Sequence, residues 1–407
     1  MAAIHRVHVR RSIRVGVLAA WCAVTAVAHA APDEAANGAA HGYSPGDLGN
    51  WFTQQHAVGA FTAMDTLFPV RRVPAGTAAR PLTPYPSAPD WAFVRRYADT
   101  HPATGLMALK NGQVLFEHYQ YERQPAHRFT SFSMAKTVVG MAIGIAVAEG
   151  HIESIDDPVD RYEPALADSA WKGVSVRHVL NMASGVRFDE TYDRNDSDIA
   201  RLSRPWTRHE GRFVDRLKTF HERDAAPGER FKYISADTQV LGLVLARATG
   251  RSLAAYVGEK IWAPMGAEDD GLWVLDTAGV EAAYCCLSAR LRDWARFGQL
   301  LLEHGQRDGT AIIPRDWVDA ATHVRAADAH LQPGTATRYM GYGYQTWLFP
   351  ERLGFALLGI RGQAVYVHPD LNLVLVHTAV WPQSSDPALV RQRDNFWREL
   401  VRAAGAL

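Results

Sequence analysis

Cysteine is nearly absent, with three in 407 residues, too few for a disulfide framework and without the paired spacings of a zinc site. Lysine is scarce as well: six lysines stand against 37 arginines. Net charge is missing, 43 basic side chains facing 43 acidic ones, which excludes a strongly basic nucleic-acid binder. No apolar run reaches the roughly 20 residues needed to span a bilayer. There is no glycine-x-serine-x-glycine elbow, HExxH helix, P-loop or glycine-rich dinucleotide fingerprint. An α/β-hydrolase nucleophile, a zinc-protease site and a nucleotide cradle therefore all lack their residues. Apolar content is ample at 47%, enough in this length for one large domain or two ordinary ones.

Arg6, Arg10, Arg11 and Arg14 precede an uncharged, mostly apolar stretch over 15–28, and Ala28-His29-Ala30 offers small residues for cleavage. That is the pattern of a secretory signal peptide over 1–30, and it predicts a protein exported across the inner membrane to the periplasm. Without the leader, 39 basic residues face 43 acidic ones, a net charge of −4. No polybasic face then remains to hold nucleic acid or anchor the protein to a membrane. Cys285 and Cys286 are left, expected as two small buried thiols rather than a bridge.

Residues 31–90 read as a flexible start and a proline-rich linker, since Pro69, Pro74, Pro81, Pro84, Pro86 and Pro89 oppose a helix or central strand. The runs 105–109 and 113–119 flank Lys110-Asn111-Gly112, a hairpin signal because Asn and Gly tolerate positive φ. A nearly uncharged helix over 134–149 stops at Gly150, and a helix apolar on most faces belongs inside a domain. The stretch 287–303 reads as an amphipathic helix. Three strands follow over 355–358, 364–368 and 373–379, then a closing helix over 387–403. Early and late strands with helices between them predict an α/β (α+β) fold. One antiparallel sheet flanked by helices is built from 91–150 and 271–407, with a mostly helical domain inserted over 151–270.

Three places can carry chemistry. Ser133-Met134-Ala135-Lys136 opens the apolar helix, and a serine and lysine three apart share one helical face. The helix N-terminus and the apolar surroundings both disfavour the ammonium, which makes the lysine a base for the hydroxyl. Ser169-Ala170-Trp171-Lys172 has the same spacing, but its lysine sits in a polar stretch. Lys136 has no structural excuse in a chain that prefers arginine. Tyr233, between the Pro227-Gly228 turn and the apolar run 240–245, suits a hydroxyl that relays protons to a leaving group. Gly359-Ile360-Arg361-Gly362-Gln363 falls between two strands, where glycines mark close backbone approach. The N–H groups of Ser133 and Gln363 are candidates for an oxyanion hole. The acidic run Asp189, Glu190, Asp193, Asp196 and Asp198 does not match a calcium loop and reads as a solvated loop. No metal and no organic cofactor is implied.

In this order the motifs resemble the serine β-lactamase/penicillin-binding-protein superfamily. The likeness is to its class C-like serine hydrolase branch, which holds 6-aminohexanoate-dimer hydrolases and family VIII carboxylesterases. It rests on Phe132-Ser133-Met134-Ala135-Lys136, Asp156-Asp157-Pro158-Val159 and Val176-Arg177-His178-Val179-Leu180-Asn181-Met182-Ala183-Ser184-Gly185-Val186. Leu291-Arg292-Asp293-Trp294-Ala295-Arg296-Phe297-Gly298 and Gly341-Tyr342-Gly343-Tyr344-Gln345 extend it over roughly residues 90–385. The resemblance implies a β-lactamase/transpeptidase-like fold, with Ser133 acylated, Lys136 as its base, Tyr233 assisting proton transfer and Gln363 as second oxyanion donor.

Two departures matter. Ser235 stands where β-lactamases carry an asparagine, and Ile360 where they carry a carboxylate-binding lysine. Ser235, Arg361 and Gly362 are left as candidate substrate contacts. The expectation is an exported serine hydrolase that cleaves a small-molecule ester or linear amide through a Ser133 acyl-enzyme. A class C-type β-lactamase or DD-peptidase and a non-catalytic envelope ligand-binding protein are the alternatives.

Overall fold

The computed structural model describes residues 31–86, 91–350 and 353–407, so the leader expected over 1–30 lies outside the described residues. The first strands are β1 (Val70–Val73), β2 (Ala103–Lys110), β3 (Gln113–Tyr119) and β4 (Arg128–Thr130). After a long helical stretch come β5 (Gly271–Val274), β6 (Leu287–Arg290) and a two-residue pair, β7 (Gln306–Arg307) and β8 (Thr310–Ala311). The chain closes with β9 (Gly341–Gly343), β10 (Thr346–Leu348), β11 (Phe355–Leu358), β12 (Ala364–His368) and β13 (Leu373–Ala379).

The main sheet is antiparallel, in the order β3-β2-β13-β12-β11-β10-β9. The two ends of the chain meet where β2 pairs with β13, Leu106 opposite His377 and Ala108 opposite Leu375. The hairpin between β2 and β3 turns through Asn111 and Gly112, at φ of 51° and 75°, as the Asn-Gly signal predicts. Alternate residues along β2 serve opposite faces. Leu106 and Ala108 share a core with Phe396, Trp397 and Leu400 of the closing helix, Pro387–Ala404. Met107 and Leu109 join Trp294 and Leu301 of the helix Leu291–Leu302. Both faces of the central strands are thus covered by helices.

Two short pieces of sheet escape the sequence pattern. β9 and β10 extend the main sheet, and a second sheet runs β1-β5-β6-β4. Residues 287–290, expected as the first turn of an amphipathic helix, form β6. Ser288 is held from both sides, opposite Thr130 of β4 and Leu272 of β5, and the helix begins only at Leu291.

The helix Ala135–Ala148 is buried at every position from Ala135 to Ala146, the place its uncharged composition demands. It packs on the helix Ser235–Thr249. At Gly144 a Cβ would fall 2.3 Å from the Trp317 ring, while Trp317 Nε1 donates to the Gly140 carbonyl at 3.0 Å. Only glycine lets the indole lie that close to the helix. No single helix among the described residues is long and apolar enough to cross a membrane.

Residues 31–86 depart furthest from expectation. They are not a flexible start and linker: Gln54–Ala60 is helical, and Trp51, Phe61, Met64 and Phe68 are buried. The cause is aromatic packing. The Trp51 ring lies 6.3 Å from Phe61, 5.1 Å from Phe68 and 5.7 Å from Trp206 between centroids. β1 fits beside its flanking prolines because it is an edge strand, paired with β5 alone. Residues from 31 onward belong to one compact unit.

Candidate active site

A 3-10 turn over Phe132–Met134 leads into the helix Ala135–Ala148 and presents Ser133 to a cleft of about 480 Å³. One turn on, Lys136 is 1% exposed. Its Nζ donates to Ser133 Oγ at 2.8 Å and to the Tyr284 carbonyl at 2.8 Å. Burial pulls the lysine pKa down to about 7, with the Glu190 carboxylate opposing. Tyr233 enters from the loop before Ser235–Thr249, its ring stacked on Trp347 at 5.3 Å and against the edge of Tyr342. Lys136 Nζ lies 5.0 Å from that ring's centroid. Burial raises the Tyr233 hydroxyl above its ordinary range, Glu190 adds to the rise, and Ser133 opposes it. The structure therefore brings Ser133, Lys136 and Tyr233 together. It leaves the other serine-x-x-lysine pair apart, with Ser169 Oγ donating to the Leu166 carbonyl and Lys172 exposed.

The turn 359–363 abuts the nucleophile. A Cβ at Gly359 would lie 2.4 Å from the Ser131 carbonyl and 3.2 Å from the Ser133 nitrogen. Glycine is what permits this approach. Among the described residues, neither the Ser133 N–H nor the Gln363 N–H has an acceptor within the chain. The Gln363 side chain is turned inward, Nε2 donating to the Ala379 carbonyl at 2.7 Å and Oε1 accepting from the Ala379 N–H at 3.2 Å. Behind the turn, the Gly362 carbonyl lies 2.7 Å from His377 Nδ1, and Tyr97 Oη lies 2.9 Å from His377 Nε2. A carbonyl only accepts, so Nδ1 carries the proton and Nε2 accepts from the tyrosine. Burial pushes the His377 pKa down to about 3, which keeps the ring neutral.

Three expected substrate contacts are changed. Arg361, 5% exposed, is turned away from the cleft. Its guanidinium donates to the carbonyls of Trp381 (2.8 Å) and Phe52 (3.0 Å) and to Gln54 Oε1 (3.3 Å), and lies 4.3 Å over the Phe52 ring. A left-handed backbone at Arg361, φ 59°, sends the side chain that way. Gly362, at φ 94°, sits against Trp381 and offers its carbonyl to His377; it does not line the cleft. Ser235 does line it, but its Oγ donates to Glu190 Oε1 at 2.5 Å.

Glu190 is the residue that sequence reasoning missed. Expected on a solvated loop, it is half-buried and accepts from the Ser235 N–H (2.8 Å) and the Tyr192 hydroxyl (2.5 Å). Burial raises its pKa while Lys136 lowers it. The one sequence signal was Tyr192, an aromatic inside an acidic run. Trp51 and Phe52, from the segment expected to be a tether, form part of the cleft wall. Cys285 and Cys286, expected as separate thiols, are joined as a disulfide, and Cys285 lines the cleft. The backbone turns at Cys286, φ 67°, which brings the two adjacent side chains together. No group of three His, Cys, Asp or Glu among the described residues is placed to hold a metal ion.

The family profile described as Beta-lactamase matches residues 92–396. The chain is 28% identical over 349 residues to the 6-aminohexanoate-dimer hydrolase of Paenarthrobacter ureafaciens, covering 82% of this chain and 88% of that one. It is 30% identical over 189 residues to esterase EstB of Burkholderia gladioli, covering 41% and 46%. A solved Bacillus anthracis protein, provisionally named a 6-aminohexanoate-dimer hydrolase, superposes with a TM-score of 0.79 at 22% identity, covering 88% of this chain and 97% of that one. A family VIII carboxylesterase superposes with a TM-score of 0.58 at 16% identity, covering 78% and 99%. These last two likenesses are of fold.

Proposed function

The chain belongs to the beta-lactamase family and is a hydrolase of that fold, and from that premise we propose that it cleaves an ester or linear amide through an acyl-enzyme on Ser133. One observation carries the reading: a buried amine, its pKa lowered to about 7, donating at 2.8 Å to a serine hydroxyl that lines the cleft. Ser133 Oγ attacks the substrate carbonyl carbon as its proton passes to Lys136, and a C–O bond forms. The N–H groups of Ser133 and Gln363 receive the oxyanion. Collapse breaks the bond to the leaving alcohol or amine, which takes a proton by way of Tyr233. Water then attacks the acyl-enzyme as Lys136 takes one of its protons, and that proton passes to Ser133 Oγ as the acyl–Oγ bond breaks, which releases the acid and leaves Lys136 neutral.

The substrate side favours open-chain esters and amides over β-lactams. Ile360 is apolar, Arg361 is turned away from the cleft, and the Ser235 hydroxyl is engaged by Glu190. Among the described residues, the turn 359–363 presents no cation to the cleft. The leader-like composition of 1–30 supports export to the periplasm, which N-terminal sequencing of secreted protein tests.

The mechanism is tested with a fluorophosphonate probe and p-nitrophenyl butyrate. A single adduct that peptide mapping places on Ser133 is expected, and Ser133→Ala should lose about a thousand-fold or more in turnover. An adduct on another serine, or undiminished turnover in the variant, overturns the assignment. Nitrocefin hydrolysis as fast as ester hydrolysis would return the protein to the β-lactamases.

A further inference from the structure

Arg204 and Arg208 both line the catalytic cleft, one turn apart on the end of the helix Asp198–Thr207 and the residue that caps it. Like charges at this spacing repel. Nearby arginines meet carboxylates: Arg194 pairs with Asp196, Arg201 with Asp198 and Arg212 with Asp215. Among the described residues Arg204 and Arg208 pair with none, and Arg204 Nε is buried without an acceptor.

The other charges on the wall are already engaged. The Asp193 carboxylate accepts from the Ser384 N–H at 3.2 Å and the Ser384 hydroxyl at 2.7 Å, and Arg194 has its acids. Much of the remaining wall is apolar or aromatic, with Ile199, Trp206 and Tyr284. Its polar atoms are satisfied too, since Trp206 Nε1 donates to the Tyr284 hydroxyl at 2.8 Å. A helix C-terminus welcomes positive side chains, which accounts for arginines at this end. It does not account for two of them facing one cleft with no salt-bridge partner among the described residues.

Two unpaired guanidiniums beside an apolar wall are the complement of a carboxylate on a hydrocarbon chain, because the planar fork matches the carboxylate's two oxygens. Building on the proposed ester or amide hydrolysis, we infer that the substrate carries a carboxylate, held by Arg204 and Arg208 while Ser133 attacks the scissile carbonyl. The preferred class is then linear half-acids: one carbonyl engaged in the ester or amide, and one free acid further along the chain. A cleft of about 480 Å³ is of the size that encloses a whole small ligand.

Two substrate pairs test this on the full mature chain. Mono-p-nitrophenyl adipate against p-nitrophenyl hexanoate puts the carboxylate on the acyl side. 4-Butyryloxybenzoate against phenyl butyrate puts it on the leaving group. In at least one pair, kcat/KM should favour the anion by about ten-fold, the scale of a charge-assisted contact, and the advantage should shrink as salt rises. In the double variant Arg204→Gln/Arg208→Gln that ratio should fall toward one, mainly through KM. Should the double variant melt far below the parent, Arg208→Gln alone, at an exposed position, should lower the same ratio.

Anion-to-neutral ratios near one in both pairs, or ratios that neither variant moves, would overturn the carboxylate subsite while leaving the hydrolase standing. Absence of turnover on all four esters together with no fluorophosphonate adduct would instead strike the underlying catalytic reading.

Discussion

Lys136 reaches the serine from inside the protein, and that position sets its protonation. Buried at 1% exposure, it has a pKa drawn from 10.5 to about 7, so a neutral amine is available as a base near neutral pH. Ester kcat/KM should rise as Lys136 loses its proton, with a midpoint near pH 7, and Lys136→Met should lower it about 100- to 10,000-fold. Stability follows the same proton. Between about pH 7 and 10.5 the unfolded chain holds a proton the folded lysine has lost, so this group's contribution to stability improves as pH rises through that window. Denaturant titrations at pH 7 and pH 9 should show that slope in the parent and lose it in Lys136→Met. The pairing of Ser133 with Lys136 was legible in the sequence because a lysine at the head of an apolar helix, in a chain rich in arginine, conflicts with every structural role. Arg361 and Glu190 were not legible. Where those long side chains point is decided by a single left-handed φ and by partners as distant as Phe52 and Ser235, and no local pattern encodes that.

The turn between β11 and β12 does its work through one peptide unit. The Gly362 carbonyl and the Gln363 N–H belong to the same planar trans peptide, so they point in opposite directions. By holding the carbonyl at 2.7 Å, His377 fixes the direction of the N–H. His377→Leu should therefore lower kcat more than it raises KM, by up to about 100-fold, the scale of a lost oxyanion donor. His377→Asn can donate from nearly the place of Nδ1 and should recover much of that loss; equal damage in both variants would reduce His377 to a packing role. Since burial holds its pKa near 3, its effect should be flat across the working pH range. The strands around this turn could be read from turn residues and strand-like runs. β9, β10 and the second sheet could not, because strands of three or four residues are too short to show a period, and these, unlike the all-apolar β11, are interrupted by polar residues or glycine. β6 ran unbroken into the following helix and so took on its pattern.

For the molecule as a whole, residues 31–86 complete the cleft rather than tether it. Trp51 is buried among Phe61, Phe68 and Trp206, and Arg361 and Gln54 tie the segment to the end of the main sheet. Trp51→Ala should cost about 3–5 kcal/mol, read as a lowered denaturation midpoint with an unchanged m-value; a loss under about 1 kcal/mol would mark the segment as peripheral. Its composition of Ala, Gly and Pro misleads because three widely spaced aromatics, Trp51, Phe61 and Phe68, supply the burial.

The wall formed by Trp51 and Phe52 lies on a stretch that ends before β1, while Ser133, Lys136 and Tyr233 all come later in the chain. A single recombination event upstream of β1 would exchange the Trp51 and Phe52 side of the cleft and leave the Ser133, Lys136 and Tyr233 cluster untouched.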